Sequence, residues 1–401
     1  MTKYLVLIGD GMSDLPLKAL GGKTPLAAAR TPNLDFLAQN GLCGWTNNIP
    51  RGLEPGSDVA AMSIFGNDPQ KYYSGRGPLE AASLGIELKA GEVAFRCNLV
   101  TVEYGRMKDF TAHHIATPEA RRILAKLNRE IGSRGVKFYP GLSYRNLLVM
   151  TDSAAAPLEK IKTVPPHDIT GQKINGYLPQ GKGADQLLRL MNESEVILHG
   201  LTSRATMIWP WGQGKRPDLL SFRRRFGKKA AIITAVHLLK GLGKILGMEV
   251  INVPGATGYL DTNYRGKAAA ALQALRRNDV VFVHVEAPDE AGHEGNVKHK
   301  IQAIEDFDKY VVGAMLKHVT RRACRQAGNA LRDTRILVLP DHPTPIKYMT
   351  HTRDDVPFVI YPAPLAAGRQ LIKGYSEREI GRSKFRVAAG HHLLEVLFHD
   401  R

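Results

Sequence analysis

Three aspartates and three histidines stand at or shortly after the ends of apolar runs that resemble buried strands. They are Asp10, Asp289, His293, Asp341, His342 and His351. Asp289 and His293 are four residues apart, so one helical turn would place both on the same face. Carboxylate and imidazole groups are ligands of divalent cations. Because the carboxyl ends of neighbouring parallel strands meet at one sheet edge, the pattern predicts a metal site there.

Ser57 is the strongest candidate nucleophile. It follows Pro55 and Gly56 and opens the helical stretch SDVAAMSIFG. One interpretation is a plain helix N-cap, for which serine is favoured. The other is catalytic: the free N–H groups of a helix N-terminus suit a phosphoryl group, and a metal on the hydroxyl would lower its pKa. His284 precedes the Asp289 segment within the apolar run, and we interpret it as structural.

The elements that must position these residues alternate along the chain. KYLVLIGDGM predicts a buried strand followed by a glycine-rich loop. TPNLDFLAQNG predicts a helix with Thr31 as N-cap and Gly41 as its stop. From residue 228 five β-rich runs alternate with helical segments: AAIITAV, MEVINVPG, DVVFVHVEAP, RILVLPD and VPFVIYPAP. This alternation predicts an α/β fold with a mostly parallel central sheet flanked by helices.

Residues 92 to 225 have a different pattern. AFRCNLVTVEYGRMKDF and YRNLLVMT predict strands and hairpins, whereas TPEARRILAKLNREI and ADQLLRLMNES predict amphipathic helices. HGLTSRATMIWPWGQGKRPDLLSF has no clear period, and we interpret it as an ordered loop at a domain junction. We therefore expect a discontinuous core domain, 1–90 and 226–401, and an inserted α+β domain, 91–225.

The chain of 401 residues has a net charge of +17, from 55 Lys and Arg against 38 Asp and Glu. Such an excess favours anionic partners, namely phosphorylated metabolites, nucleic acid or a membrane surface. The basic residues are scattered, however, and no zinc-finger or RNP-type motif is present. We therefore interpret the charge as a solvated basic surface and expect no nucleic-acid partner.

The compartment is suggested by the cysteines and the N-terminus. Cys43, Cys97 and Cys324 are odd in number and far apart, so they predict no disulfide framework. Asp10 interrupts the first apolar run before a signal peptide is complete. No uninterrupted apolar stretch approaches the roughly 18 residues of a membrane span. We expect a cytoplasmic protein without a membrane partner.

Taken together, these motifs resemble the alkaline phosphatase superfamily, and within it the archaeal type of cofactor-independent phosphoglycerate mutase. PGSDVAAMSIFG and VEAPDEAGHEGN are the most specific stretches, and LIGDGMSD, PGATGYLDTNY and DHPTPI followed by THT also match. The resemblance implies a phosphatase-like core with an inserted lid domain. It implies an isomerase of glycolysis and gluconeogenesis that interconverts 3-phosphoglycerate and 2-phosphoglycerate through phosphoserine, without bisphosphoglycerate. The alternative is a metal-dependent phosphatase or another phosphomutase of the superfamily.

The resemblance also implies two metal sites. Asp289, His293 and His351 would hold one divalent ion, and Asp10, Asp341, His342 and the Ser57 hydroxyl would hold the other. Ser57 would be the nucleophile. Manganese is the expected metal, with zinc, cobalt or magnesium as substitutes, and the partner is a small phosphorylated metabolite, with homo-oligomerisation left open.

The resemblance also implies substrate-binding residues at basic and polar positions of the matching stretches. The candidates are Arg96, Asn98, His114, Arg145, Asp168, Lys215 and Lys240. Arginine can clamp a carboxylate through two hydrogen bonds, and lysine offers a point charge. His237 stands where the family usually has aspartate, and the residues around His113 also depart from the usual pattern.

Overall fold

The computed structural model describes residues 2–151, 157–201, 204–325, 334–363 and 370–399. The chain divides into two compact units. Unit 1 consists of Met1–Tyr73 and Leu219–Arg401, and unit 2 consists of Ser74–Asp218. The expected boundaries were 90/91 and 225/226. Helix 76–83 accounts for part of the shift at the first boundary, because it packs on the sheet of unit 2.

The strands within the described residues are β1 Lys3–Gly9, β2 Leu42–Thr46, β3 Glu92–Glu103, β4 Arg106–Asp109, β5 Val136–Leu142, β6 Arg145–Thr151, β7 Met207–Gly214, β8 Ala230–Ile233, β9 Glu249–Ile251, β10 Val280–Val285, β11 Thr334–Leu339, β12 Val356–Tyr361 and β13 Arg386–Val387.

The α-helices are α1 Pro25–Ala28, α2 Pro32–Asn40, α3 Ser57–Ile64, α4 Pro69–Tyr72, α5 Arg76–Ser83, α6 Thr117–Glu130, α7 Ala184–His199, α8 Phe222–Phe226, α9 His237–Ile245, α10 Tyr264–Ala274, α11 Ala287–His293, α12 Val297–Asp306, α13 Gly313–Arg325, α14 Glu377–Ile380 and α15 Leu393–Phe398. A π-helical segment, Phe307–Val312, joins α12 to α13. Of the helices described, none combines the length and apolar content needed to cross a membrane.

Unit 1 is built on an eight-stranded sheet, counted over the described residues, with the order β13-β2-β12-β11-β1-β10-β8-β9. Strands β11, β1, β10, β8 and β9 pair in parallel, and β12 is antiparallel to its neighbours. Every residue of β10 and β11 is buried, which matches their nearly continuous apolar sequences. The predicted α/β fold with a mostly parallel sheet is confirmed.

The helices of unit 1 begin and end close to the predicted residues. Helix α2 starts after Thr31 and ends before Gly41, although the Thr31 side chain makes no capping hydrogen bond. Helix α3 starts at Ser57, but its N-cap residue is Gly56. Ser57 is therefore the first residue inside the helix, and the plain N-cap interpretation of Ser57 is wrong.

Unit 2 contains a second sheet, in which β3 pairs antiparallel with β4, β6 and β7. Strand β7 corrects the sequence analysis, which placed an ordered loop over residues 199–222. Pro210 and two glycines hid the strand pattern. Proline is tolerated here because β7 pairs only with β3, so it lies at a sheet edge where one side needs no ladder hydrogen bond. Trp209 and Trp211 of β7 are buried in the core of unit 2.

Candidate active site

Strand order brings the chemistry-bearing residues of unit 1 together. The neighbours β11, β1 and β10 are parallel and occupy the middle of the sheet. Asp10 directly follows β1, helix α11 with Asp289 and His293 follows β10, and Asp341 and His342 follow β11. Three distant segments therefore end at the same sheet edge, as the sequence predicted.

Asp10, Asp341 and His342 form the first of two compact ligand groups. All three are almost completely buried. His342 Nε2 lies 3.5 Å from Asp10 Oδ1 and 3.4 Å from Asp341 Oδ2. Neither of these two carboxylate oxygens has a hydrogen-bond partner among the described residues. Buried carboxylate oxygens that converge without a donor fit a bound cation.

Ser57 joins this first group. Its Oγ lies 3.1 Å from His342 Nε2. The segment before α3 is fixed to the end of β11, because the Asn48 amide donates to the Asp341 carbonyl at 2.8 Å. Ser63 on α3 in turn donates to the Asn48 carbonyl at 2.6 Å. Contacts of the chain segments before and after Ser57 therefore hold its hydroxyl against the first group.

Asp289, His293 and His351 form the second ligand group. The Nε2 atoms of the two histidines are 2.9 Å apart, and they lie 3.2 Å and 3.5 Å from Asp289 oxygens. His293 Nδ1 faces the Met349 carbonyl at 3.0 Å, and His351 Nδ1 faces the Pro55 carbonyl at 3.2 Å. A carbonyl only accepts hydrogen bonds, so each Nδ1 donates to it, and each Nε2 can bind a metal once it carries no proton.

Thr344 and Gly11 link the two groups. The Thr344 hydroxyl donates to the Asp289 carboxylate and lies 3.3 Å from His342 Nδ1. Gly11 donates its N–H to Asp341 Oδ1 at 3.1 Å. Gly11 has φ +59°, and a Cβ there would lie 2.6 Å from Asp289 Oδ1. Only glycine fits between the two aspartates, which explains the glycine in the GDGM stretch.

The carboxylates of the two ligand groups are crowded together, and this crowding shifts their pKa values. Burial and the negative charges of Asp341 and Asp289 raise the pKa of Asp10 well above its usual value. Burial alone would raise the pKa of Asp341, but His342 and His284 outweigh it and hold that pKa at about 2. Burial lowers the pKa of His342. A lowered pKa of His342 and a set of mutually repelling carboxylates are features that a bound divalent cation would accommodate.

Lys240 is the one candidate substrate residue in unit 1. It lies on α9, and burial lowers its pKa, against the opposing effect of the Glu286 charge. Its amine is therefore easier to deprotonate than that of an exposed lysine.

In unit 2, Arg96 and Arg145 belong to a cluster of basic and aromatic side chains. The guanidinium of Arg96 lies 4.4 Å from the ring centre of Trp211, and its Nε lies 3.0 Å from Glu80. Burial and the charges of Arg76 and Arg145 lower the pKa of Arg96, although Glu80 opposes this. The same charges of Arg76 and Arg145 would attract a carboxylate or a phosphate.

Sequence reasoning missed two members of this cluster, Arg76 and His167. The Arg76 guanidinium lies 5.9 Å from the Trp211 ring. His167 packs edge-on against Trp211 at 5.3 Å, and its pKa is lowered by burial and by Arg76 and Arg96. Arg76 lies in YSGRGPLEAASLGI and His167 in PPHDITG, two further stretches that match the family pattern, and these motifs were the available signal.

The other candidates in unit 2 differ in their surroundings. Asn98 is buried and bonded to Phe110 and Trp211, which is a structural arrangement. His114 is exposed beside Tyr144. Asp168 is exposed, whereas its neighbour His167 packs on the cluster. Lys215 forms an ion pair with Glu159 at 3.0 Å.

Comparison with known proteins gives consistent matches along the chain. A family model described as 2,3-bisphosphoglycerate-independent phosphoglycerate mutase matches residues 38–202. A protein of that name from Methanosarcina barkeri is 53% identical over 369 residues, which cover 90% of each chain. Another, from Methanosarcina acetivorans, is 49% identical over 406 residues, covering 98% of this chain and 99% of that protein. The solved cofactor-independent phosphoglycerate mutase of Thermoplasma acidophilum matches with a TM-score of 0.67 at 25% identity, covering 99% of each chain.

Proposed function

The chain belongs to the 2,3-bisphosphoglycerate-independent phosphoglycerate mutase family, and we propose that Ser57 carries the phosphoryl group in its reaction. The enzyme is an isomerase that acts on phosphoglycerate. One observation carries the proposal for Ser57: its hydroxyl lies 3.1 Å from His342 Nε2, at the first residue of α3. The N–H groups of that first turn and the partial positive charge of the helix end favour a phosphoryl group on this oxygen.

The two ligand groups hold one divalent ion each. Asp10, Asp341, His342 and the Ser57 hydroxyl serve the first ion, and the second group serves the other. When bound, such ions lower the pKa of the hydroxyl and offset negative charge on the transferring phosphoryl group. The donors are oxygen and nitrogen without thiolate, which favours manganese, with zinc, cobalt or magnesium as substitutes.

The reaction consists of two transfers at Ser57. In the first, the Ser57 oxygen bonds to phosphorus while the bond from phosphorus to the 3-oxygen of glycerate breaks, and the serine proton goes to that departing oxygen. Glycerate then turns. In the second, its 2-oxygen bonds to phosphorus, the bond to Ser57 breaks, and the proton of the 2-hydroxyl returns to the serine. Atoms and protons balance, so no bisphosphoglycerate is required.

Retention of glycerate between the transfers distinguishes this mutase from a phosphatase. Arg96, Arg145 and the newly recognised Arg76 supply the positive charge for the glycerate carboxylate. The reaction also requires that water be excluded while phosphoserine exists, because water would otherwise release inorganic phosphate. Lys240 remains a candidate for neutralising the phosphoryl group.

The experiment follows 3-phosphoglycerate by phosphorus NMR with manganese-loaded protein and no added bisphosphoglycerate. Conversion to 2-phosphoglycerate without release of inorganic phosphate, abolished by a chelator and restored by manganese, is the expected result. Steady phosphate release without conversion would contradict the proposed roles of unit 2. Conversion that persists in chelator would contradict the two metal groups.

A reducing cytoplasm is the location that the described cysteines favour. Cys43 and Cys97 are buried free thiols, and burial raises the pKa of Cys43 to about 12. Such thiols are chemically inert, and they need no oxidising compartment.

A further inference from the structure

The ring of His284 has polar contacts that packing in its buried strand does not require. It lies within β10, a strand whose every residue is buried, and it is itself fully buried. Its Nε2 lies 3.3 Å from Asp10 Oδ2 and 4.0 Å from Asp341 Oδ2, and it has no hydrogen-bond partner among the described residues. Its Nδ1 lies 3.1 Å from Glu286 Oε1 and 3.3 Å from the Thr234 hydroxyl. Each ring nitrogen therefore faces a carboxylate, and an apolar residue would satisfy the packing of the strand equally well.

Glu286 is fixed by an unusual number of partners for a buried side chain. Its Oε1 accepts from the Ala235 N–H at 2.7 Å and from the Thr234 hydroxyl at 2.9 Å. Its Oε2 accepts from the Lys267 ammonium at 2.6 Å. Lys267 is completely buried and also donates to the His284 carbonyl at 2.9 Å. Burying such an ion pair costs free energy that a hydrophobic pair would not, which suggests a role other than stability.

Asp10 connects this buried chain to the first ligand group. Its Oδ2 faces His284, whereas its Oδ1 faces His342 at 3.5 Å. The His284 ring beside one edge of the carboxylate therefore restricts how the other edge can turn toward His342 and Ser57. Asp341 also turns an unpartnered oxygen toward the same side, and a ring N–H between two carboxylates reduces their mutual repulsion.

We propose that His284 is a positioning residue for the first ligand group. Its Nε2 edge, 3.3 Å from Asp10 Oδ2, holds that carboxylate toward Ser57, and the Glu286–Lys267 pair fixes the ring. The inference rests on the proposed function, since it takes Asp10 to be a metal ligand. The histidines of the second group are instead oriented by backbone carbonyls. Loss of His284 should therefore weaken one site and spare the other.

Two amide substitutions test the contacts of Nε2 and Nδ1 separately. The amide nitrogen of glutamine reaches about as far as Nε2, so His284→Gln keeps a donor for Asp10. The amide of asparagine reaches only about as far as Nδ1, so His284→Asn keeps the Glu286 contact and loses Asp10. Both variants place a neutral amide in the same buried position, which makes each the control for the other.

The test measures manganese binding by calorimetry and by electron paramagnetic resonance. Each variant is made in an Asp289→Asn background, which leaves only the first group, and in an Asp10→Asn background, which leaves only the second. We expect His284→Asn to weaken binding by the first group about tenfold or more, and His284→Gln to weaken it about threefold or less. Binding by the second group should be unchanged in both, which also reports that the fold is intact.

Equal losses in the two variants, or no loss in His284→Asn, would overturn the positioning role. If the Asp289→Asn protein with its native His284 binds no manganese, the proposed ligand role of Asp10 fails instead. Should His284→Asn not fold, Thr234→Val removes the hydroxyl that contacts both His284 and Glu286 while conserving volume. A loss of about threefold confined to the first group would then support the inference, and an unchanged affinity would overturn it.

Discussion

The two ligand groups lie at the same strand ends, yet they differ in exposure and in what holds them. Asp10, Asp341 and His342 are at most 2% exposed, whereas the side chains of His293 and His351 are 33% and 19% exposed. The first group is backed by the buried side chains His284, Glu286 and Lys267. The second is oriented by backbone carbonyls.

The difference in exposure suits the two ligand groups to different tasks. A buried group next to the nucleophile fixes geometry, because its ligands cannot relax into solvent. A partly exposed group leaves room for solvent or a phosphoryl oxygen and lets its ion exchange. The following variants sharpen or break this contrast, from the largest expected effect to the smallest.

Ser57→Ala should remove nearly all turnover, by at least about 10⁴-fold, because the phosphoryl acceptor is lost. Both ligand groups keep their carboxylates and imidazoles, so two manganese ions should still bind in a calorimetric titration. Ser63→Ala, on the same helix, is the matched comparison and should lose far less activity, because it removes a hydrogen bond to the Asn48 carbonyl but keeps the phosphoryl acceptor. Substantial turnover in Ser57→Ala would exclude Ser57 as the acceptor.

Removing one ligand from each group should have unequal consequences. Asp341→Asn should lower kcat on the order of 10³-fold, and excess manganese should not restore it, because the buried amide leaves no route for a replacement ligand. His351→Ala should lose less and recover partly when imidazole and manganese are added, because its position is open to solvent. Equal rescue of both variants, measured as kcat over a manganese series, would break the contrast.

The two groups should compete with protons through different residues. Burial by itself lowers the pKa of His293, but the hydrogen bond and charge of Asp289 outweigh it and raise that pKa to about 9. The ring must lose this proton to bind a metal, so affinity of the second group should rise with pH up to about pH 9, by at most about tenfold per unit. Burial lowers the pKa of His342, so any pH dependence of the first group should come from Asp10, whose pKa burial and the charges of Asp341 and Asp289 raise.

Calorimetry in buffers of different ionisation enthalpy checks the proton count for the second group. The Asp10→Asn protein should release about one proton per manganese ion bound near neutral pH, because His293 must be deprotonated to bind. His293→Gln in the same background should abolish that release. No proton release from the Asp10→Asn protein would contradict the raised pKa of His293.

A smaller effect is expected in unit 2. Arg145→Gln should raise KM for 3-phosphoglycerate about tenfold with little change in kcat, because one charged hydrogen-bond donor to the substrate is lost. Arg189→Gln is the control, since Arg189 is exposed on α7 in an ion pair with Glu193. An unchanged KM in the Arg145 variant would remove this residue from the substrate site.

The sequence predicted unit 1 well for physical reasons. Buried parallel strands are contiguous apolar runs, and their carboxyl ends are where Asp10, Asp289 and Asp341 stand. It also predicted the strand–helix alternation and the start of α3 at Ser57. It interpreted His284 as purely structural, because one histidine in an apolar run gives no hint of the carboxylates that tertiary contacts bring to both ring nitrogens.

Unit 2 was less predictable. Strand β7 was hidden by Pro210 and by glycines, and its pairing with β3 spans more than a hundred residues of sequence. Arg76 and His167 gather around Trp211 only in the folded sheet. In a chain with 55 basic residues, residue type alone does not identify the arginines that share one cluster.

Direct detection of phosphoserine tests the central claim most sharply. Manganese-loaded enzyme is mixed with 3-phosphoglycerate, quenched in acid during turnover, digested and analysed by mass spectrometry, with Ser57→Ala protein treated in parallel. We predict a phosphoryl group on Ser57, no modification of Ser63, and none in the variant. A phosphoryl group on a different residue, with Ser57 unmodified during turnover, would contradict the account.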